Sequence, residues 1–278
     1  MSDAVASPNS SPEDRAPVGG GFDELADGLR AVAPSLGLQV VTLRSVDSTN
    51  RLGRRLVDRL AHELPAVLLV AWEQTAGRGR LGRAWASPGG LGAYQSLVHR
   101  IDDPARLGLL PLRVGIGLCR ELRRFVPGLA LKWPNDLITP RGKLGGILIE
   151  VVGQGGASAV VVGYGINVGH GVAEIPLPTA TSLRLEGVDP LPALADLVPS
   201  LARAVRAEVE SHENAASTLA RYREVAAHRA GDRLSCTLGG VRYEGRLEGF
   251  DPAGRLLLRT DQGLRALSAA DALEARGD

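Results

Sequence analysis

The chain has only two cysteines, Cys119 and Cys236, which lie far apart and close to no histidine pair. That excludes a disulfide framework and the spacings of a zinc site, and it fits a reducing, cytoplasmic setting. No apolar run approaches the length needed to span a bilayer, and the N-terminus lacks the apolar core of a secretory signal, so no membrane partner is expected. There is no charge excess either. Thirty-two basic residues stand against 31 acidic ones, whereas a protein that lives on nucleic acid usually carries a strongly basic balance. Internal repeats are absent. What remains is a 278-residue chain with 44% hydrophobic and 23% charged residues, ordinary for a globular enzyme and long enough for one large domain and a small one.

The most unusual stretch runs from Glu73 to Trp85. Arg78, Arg80 and Arg83 alternate there with Gly77, Gly79 and Gly82, so a pliable backbone carries forked cations suited to carboxylate or phosphate oxygens. It has little to bury, and ordering each residue costs about 1–2 kcal/mol of backbone entropy. The segment is therefore expected to stay mobile until an anionic ligand draws it closed. A solvated basic loop or a nucleic-acid contact is the competing reading of this loop taken alone.

Residues 1–21 are rich in Ser, Pro, Asp, Ala and Gly and are expected to form a disordered tail. Apolar spacing predicts a helix from Phe22 to Val32, then a strand from Leu38 to Leu43. Ser48-Thr49-Asn50 precedes a helix with the apolar face Leu52, Leu56, Val57 and Leu60, so capping is one reading of Ser48 and Thr49 and ligand binding another. Strands are expected at Ala66–Trp72 and Ala93–Ile101, and Pro111 opens a helix reaching Val126. Pro134 then halts a short strand and presents Asn135 and Asp136 at its end, either as a turn cap or toward a ligand. Lys143 sits in a glycine turn before the strand Ile147–Val152, and could equally be a surface lysine. A strand is expected at Ala159–Val162, followed by Gly163 to Val168, where glycine lets the backbone approach a ligand closely and Asn167 can read it through its amide. A helix from Leu191 to His212 should bend or break at Pro199, with another from Asn214 to Ala227. From Gly231 to Leu273, four short segments separated by turn residues read as a small β-barrel.

Taken together, Ser48-Thr49-Asn50, Gln74 to Trp85, Lys132-Trp133-Pro134-Asn135-Asp136, Lys143 to Ile147 and Gly163 to Asn167 resemble, in order and kind, the biotin–[acetyl-CoA-carboxylase] ligase family of biotin protein ligases. The resemblance covers Val46 to Val168. It implies an α+β fold, a mixed sheet with flanking helices like that of class II aminoacyl-tRNA synthetases, in residues 22–228, and an SH3-like β-barrel in residues 229–278. It implies an ATP-dependent ligase that makes biotinyl-5′-AMP from biotin and MgATP and passes biotin to a lysine of a carrier domain. That carrier would belong to acetyl-CoA carboxylase or another biotin-dependent carboxylase, and the enzyme would be a monomer or homodimer.

The resemblance assigns biotin binding to Ser48, Thr49, Asn50, Gln74, Gly77, Arg78, Gly79, Arg80 and Lys143. It assigns ATP binding to Arg78, Arg80, Arg83, Trp85, Asn135, Asp136 and Asn167, with Lys143 and Arg80 catalytic. Magnesium would arrive with ATP, and no resident metal is expected. Only the tail and one short helix precede the Ser-Thr-Asn motif, so no DNA binding is expected. Gln95 departs from the aliphatic or aromatic residue of many relatives and bears on the pocket wall, while Leu81 receives no role. A lipoate or octanoate ligase of the same superfold is the nearest alternative, and a non-catalytic biotin sensor is the alternative from another class.

Overall fold

The computed structural model describes residues 18–60, 66–101, 103–153, 158–175, 177–238 and 241–268. Its organising element is a seven-stranded mixed sheet of β1 (Gln39–Val46), β2 (Val67–Gln74), β3 (Gly92–Ile101), β4 (Ala130–Lys132), β5 (Asp136–Ile138), β6 (Lys143–Val152) and β7 (Ser158–Asn167). The spatial order is β1-β2-β3-β7-β6-β5-β4. Only β1 and β2 pair in parallel, and every other neighbour is antiparallel.

The Val-Leu-Leu-Val run of β2 is apolar at every position because both faces of the sheet are covered. Alternate residues serve the two sides. Val67 and Leu69 join Val98, Val161 and Val57 beneath α2 (Thr49–Leu60), while Leu68 and Val70 enter the larger core on the opposite face. That core is closed by α1 (Phe22–Leu36), α3 (Leu110–Leu122), α4 (Leu194–Glu210) and α5 (Ala215–Val225). Asn214 caps α5, its side chain accepting from Ser217 N at 2.9 Å, the usual use of Asn at that position.

Three expectations change. The strand does not end at Val162, since β7 stays paired with β3 as far as Asn167 opposite Gly92. Pro199 does not break α4. Leu197, Val198, Leu201, Ala202, Val205 and Val209 are all buried along that helix, and at about 25 cal/mol per Å² this burial outweighs the one backbone hydrogen bond that proline forfeits. The tail does not extend to residue 21. Val18 is 3% exposed and its amide donates to Gly90 O at 3.1 Å, so residues 18–21 belong to the fold, and residues 1–17 lie outside the described ones.

Beyond α5, β8 (Arg233–Leu238), β9 (Val241–Phe250), β10 (Leu256–Thr260) and β11 (Gly263–Leu267) form an antiparallel sheet in the order β11-β10-β9-β8. This is the small antiparallel sheet of the expected C-terminal unit, and among the described residues no pairing joins β8 to β11. Two of its strands have only five residues each, and the sheet covers its apolar face by packing. Leu247, Leu256, Leu258 and Leu267 gather with Phe250 against Trp133 of the main sheet. Trp133 Nε1 donates to Gly254 O at 3.2 Å, and Phe250 meets Tyr222 edge-on at 4.9 Å. Among the described residues no helix is long and apolar enough to cross a membrane.

Candidate active site

A cavity of about 620 Å³ opens on the α2 side of the sheet. Ser48, Thr49, Asn50, Gln74, Arg78, Gly79, Arg80, Arg83, Trp85, Asn135, Asp136, Lys143 and Asn167 all line it. Residues this far apart in the chain converge because three strand ends and the start of a helix meet there. Gly77 is the exception among the expected ligand residues. Its carbonyl accepts Trp85 N at 2.9 Å, and a Cβ at that position would stand 2.8 Å from Ser87 Oγ, so it serves the close approach of two chain segments rather than the cavity wall.

The floor is sheet with side chains missing. At Gly165 a Cβ would lie 2.6 Å from Trp85 Nε1, and at Gly163 it would collide with Asn50 Oδ1. The indole of Trp85 therefore lies against β7 only because glycine is beneath it. Lys143 Nζ is 5.3 Å from the centre of that indole, within cation–π range. The same ammonium is 2.7 Å from Asp136 Oδ1.

The arginine-glycine segment has more internal structure than its composition predicts. Gly79 N donates to Arg83 O at 2.8 Å and Arg83 N to Arg80 O at 3.2 Å, and with the bond from Trp85 N to Gly77 O the segment closes as a small hairpin. Leu81 at its tip takes φ 59°, a left-handed conformation that costs a side-chain-bearing residue on the order of 1 kcal/mol. Arg80 Nη1 reaches across to Asn135 Oδ1 at 2.9 Å. Burial lowers the pKa of Arg80, opposed by the charge of Asp136. The missed signal is hydrogen bonding within the turn, which composition does not carry.

The Ser-Thr-Asn block is held from below. Thr49 N donates to Gln74 Oε1 at 2.9 Å, and Gln74 Nε2 donates to Ser87 Oγ at 2.9 Å. Ser96 Oγ is 2.7 Å from Thr49 Oγ1 and 2.6 Å from Asn50 Oδ1. The amide of Asn50 also donates to Leu148 O at 3.1 Å and to Glu150 Oε2 at 2.8 Å. Asn50, expected to read a ligand, thus has its polar atoms committed to the sheet. Sequence pattern did not single out Ser96 or Glu150, although a serine and a carboxylate inside otherwise apolar strands are a usable signal.

Lys143 is fixed through its backbone as well. Lys143 N donates to Thr179 O at 2.8 Å and Thr181 N to Lys143 O at 2.9 Å. Glu186 Oε1 accepts the hydroxyls of both Thr139 and Thr181, at 2.8 and 2.7 Å, so it ties together the two segments that flank the lysine. Asn167 Nδ2 donates to Thr181 O at 2.9 Å, joining β7 to the same frame. Gln95 borders the cavity, but by strand alternation its side chain shares the opposite face with Leu97 and Tyr164. The Tyr164 hydroxyl donates to Gln95 Oε1 at 3.1 Å, so this side chain belongs to the layer beneath the floor.

His170 lines the cavity and is 1% exposed. Burial pushes its pKa down to about 4, opposed by Glu174 and the Leu91 backbone. Its Nε2 lies 3.4 Å from the Tyr94 hydroxyl, which in turn lies 3.2 Å from Pro88 O. Among the described residues no group of three or more His, Cys, Asp or Glu could hold a metal by itself. The Asp136 carboxylate fits magnesium that arrives already bound to phosphates, since that ion needs only one or two protein carboxylates, while the Asn135 oxygen beside it accepts from Arg80.

Comparison with known proteins agrees with this geometry. The profile of the Biotin/lipoate A/B protein ligase family matches residues 42–167. The bifunctional ligase/repressor BirA of Escherichia coli K12 is 33% identical over 230 residues, covering 81% of this chain and 70% of that protein. The biotin–[acetyl-CoA-carboxylase] ligase of Paracoccus denitrificans is 34% identical over 245 residues, covering 82% and 98%. Among solved structures, the biotin protein ligase from Aquifex aeolicus in complex with biotin and ATP superimposes with a TM-score of 0.66 at 26% identity, covering 84% of this chain and 97% of that one.

Proposed function

The chain belongs to the biotin protein ligase family, and we propose on that premise that it joins biotin to the adenylyl group of MgATP and passes the biotinyl group to a lysine of a carrier domain. In the first step a carboxylate oxygen of biotin attacks the α-phosphorus, the bond to the β-phosphate oxygen breaks, and pyrophosphate leaves. Two anions must meet, so the barrier is largely electrostatic. The observation that carries this reading is the convergence of Lys143 and Arg80 over a glycine floor, one cation held by Asp136 at 2.7 Å and the other by Asn135 at 2.9 Å. Cations fixed before the reaction stabilise the developing charge without reorganising, and such preorganisation usually contributes more to the rate than any other effect.

Each neighbour has a role in that scheme. Ser48, Thr49 and Gln74 satisfy the ureido ring of biotin, which offers two N–H donors and one carbonyl. Trp85 stacks at the adenine end, Arg78 and Arg83 hold phosphate oxygens, and Asn135 and Asp136 face the phosphates and their magnesium. Asn167 braces the nucleotide side. Asn50 works from behind by holding the Thr49 segment in place. The arginine hairpin closes over the mixed anhydride and keeps water from it.

In the second step the carrier lysine attacks the acyl carbon, the bond to the phosphate oxygen breaks, and AMP leaves. The acceptor is the biotin carboxyl carrier domain of acetyl-CoA carboxylase or of another biotin-dependent carboxylase, and no DNA partner is assigned. Exchange of labelled pyrophosphate into ATP tests the first half-reaction. We expect exchange with biotin and none with lipoate or octanoate. Exchange with the latter pair would transfer the assignment to the sister ligases.

A further inference from the structure

Of the 32 basic residues only two, Lys132 and Lys143, are lysines, and the other 30 are arginines. Both lysines line the same cavity. This distribution bears directly on the product made there, because an acyl-adenylate acylates amines. A guanidinium stays protonated and delocalised and does not compete, whereas a lysine amine is the ordinary target of acylation.

The two lysines are not equivalent. The Lys143 ammonium is engaged by Asp136 at 2.7 Å and lies over Trp85. Lys132 is exposed, and among the described residues no carboxylate stands within ion-pairing distance of it. Lys132 and Asp136 are direct cross-strand partners in β4 and β5, so their side chains leave the sheet on the same face. The face that carries Asp136 toward Lys143 therefore carries Lys132 beside it, at the end of the cavity where the phosphates would lie.

We infer that Lys132 is a self-acylation site: when no carrier takes the biotinyl group, the enzyme biotinylates its own Lys132, and the arginine-for-lysine composition leaves the rest of the chain inert to its own product. This inference rests on the biotin-activating function proposed for the same cavity. After its ammonium gives up a proton to solvent, the Lys132 amine attacks the acyl carbon of bound biotinyl-5′-AMP. A C–N bond forms, the acyl C–O bond to phosphate breaks, AMP departs with the electron pair, and the second proton of the attacking nitrogen passes to solvent to leave the neutral amide. The adenylate supplies all the driving force, so no further reactant is required.

The test incubates the full-length chain with biotin and MgATP without carrier, follows pyrophosphate exchange in the same mixture, and maps biotinylated peptides by mass spectrometry. We expect the label on Lys132 and its loss in Lys132→Arg. Giving the variant preformed biotinyl-5′-AMP separates loss of the acceptor from loss of adenylation, and the variant should stay unlabelled there too. Label mainly on Lys143 or the N-terminal amine, label that survives Lys132→Arg, or an unlabelled wild-type chain while exchange runs would each overturn the inference. Absence of exchange with biotin would instead overturn the activity on which it rests, and the preformed adenylate would still test Lys132.

Discussion

Arg80 and Asn135 meet across the mouth of the cavity, the guanidinium Nη1 donating to the amide oxygen at 2.9 Å while the amide nitrogen donates to Ile147 O at 2.9 Å. The arginine hairpin is thereby latched to β6 through one asparagine. A hydrogen bond to a charged group contributes about 1.5–3 kcal/mol, so Arg80→Gly should release the adenylate roughly 10- to 100-fold faster. Bystander proteins would then be biotinylated in a mixed incubation. Asn135→Ala should leak in the same direction, and strict selectivity in both variants would remove the latch from the mechanism.

Lys143→Met keeps the aliphatic stem over Trp85 and removes the charge. Loss of one preorganised cation typically costs about 10²–10³ in rate, so pyrophosphate exchange should fall by at least that much. The melting temperature should change little, because the lysine side chain is one-third exposed. Normal exchange in this variant would exclude Lys143 from adenylation.

Asn50→Ala should act on stability before chemistry. It leaves Leu148 O and the Glu150 carboxylate without their buried partner, at about 1–3 kcal/mol for such a group. For a chain of this size that lowers Tm by several degrees, roughly 2–4 °C per kcal/mol. A variant with wild-type melting but impaired biotin binding would instead make Asn50 a direct ligand contact.

His170 makes the fold sensitive to acid. Its pKa in the native state is about 4 because the imidazole is buried, against an ordinary value near 6.5 in the unfolded chain. Between those values the unfolded chain binds more protons than the native one, so the stabilisation is present above pH 6.5 and is lost as pH falls toward 4. At about 1.4 kcal/mol per pH unit the loss approaches 3 kcal/mol. Denaturant midpoints measured across this range should decline for the wild type and flatten in His170→Gln.

The sequence was most readable where chemistry and local structure coincide. The arginine-glycine run, the Trp-Pro-Asn-Asp block and Lys143 each lie at a strand end, and pattern alone located them. It was least readable where a residue acts through a partner distant in the chain. Ser96 touches Asn50 across 46 positions and Glu150 touches it across 100, and nothing local marks such pairs. Gly163 and Gly165 interrupt the apolar run that marks the strand in sequence, whereas here glycine permits packing within a paired strand. At Pro199 the converse holds, since tertiary burial keeps α4 uninterrupted against a local preference.

The glycine floor also determines how this pocket can evolve. Glycine is the smallest residue, so every substitution at Gly163 or Gly165 adds atoms and none removes them. Drift at these two positions is one-directional: it can shrink the pocket or tilt Trp85 off the strand, but it cannot enlarge the pocket. A descendant that accepts a thicker acyl substrate must therefore change at the rim, through the arginine hairpin or the segment around Thr179, and leave the floor as it is.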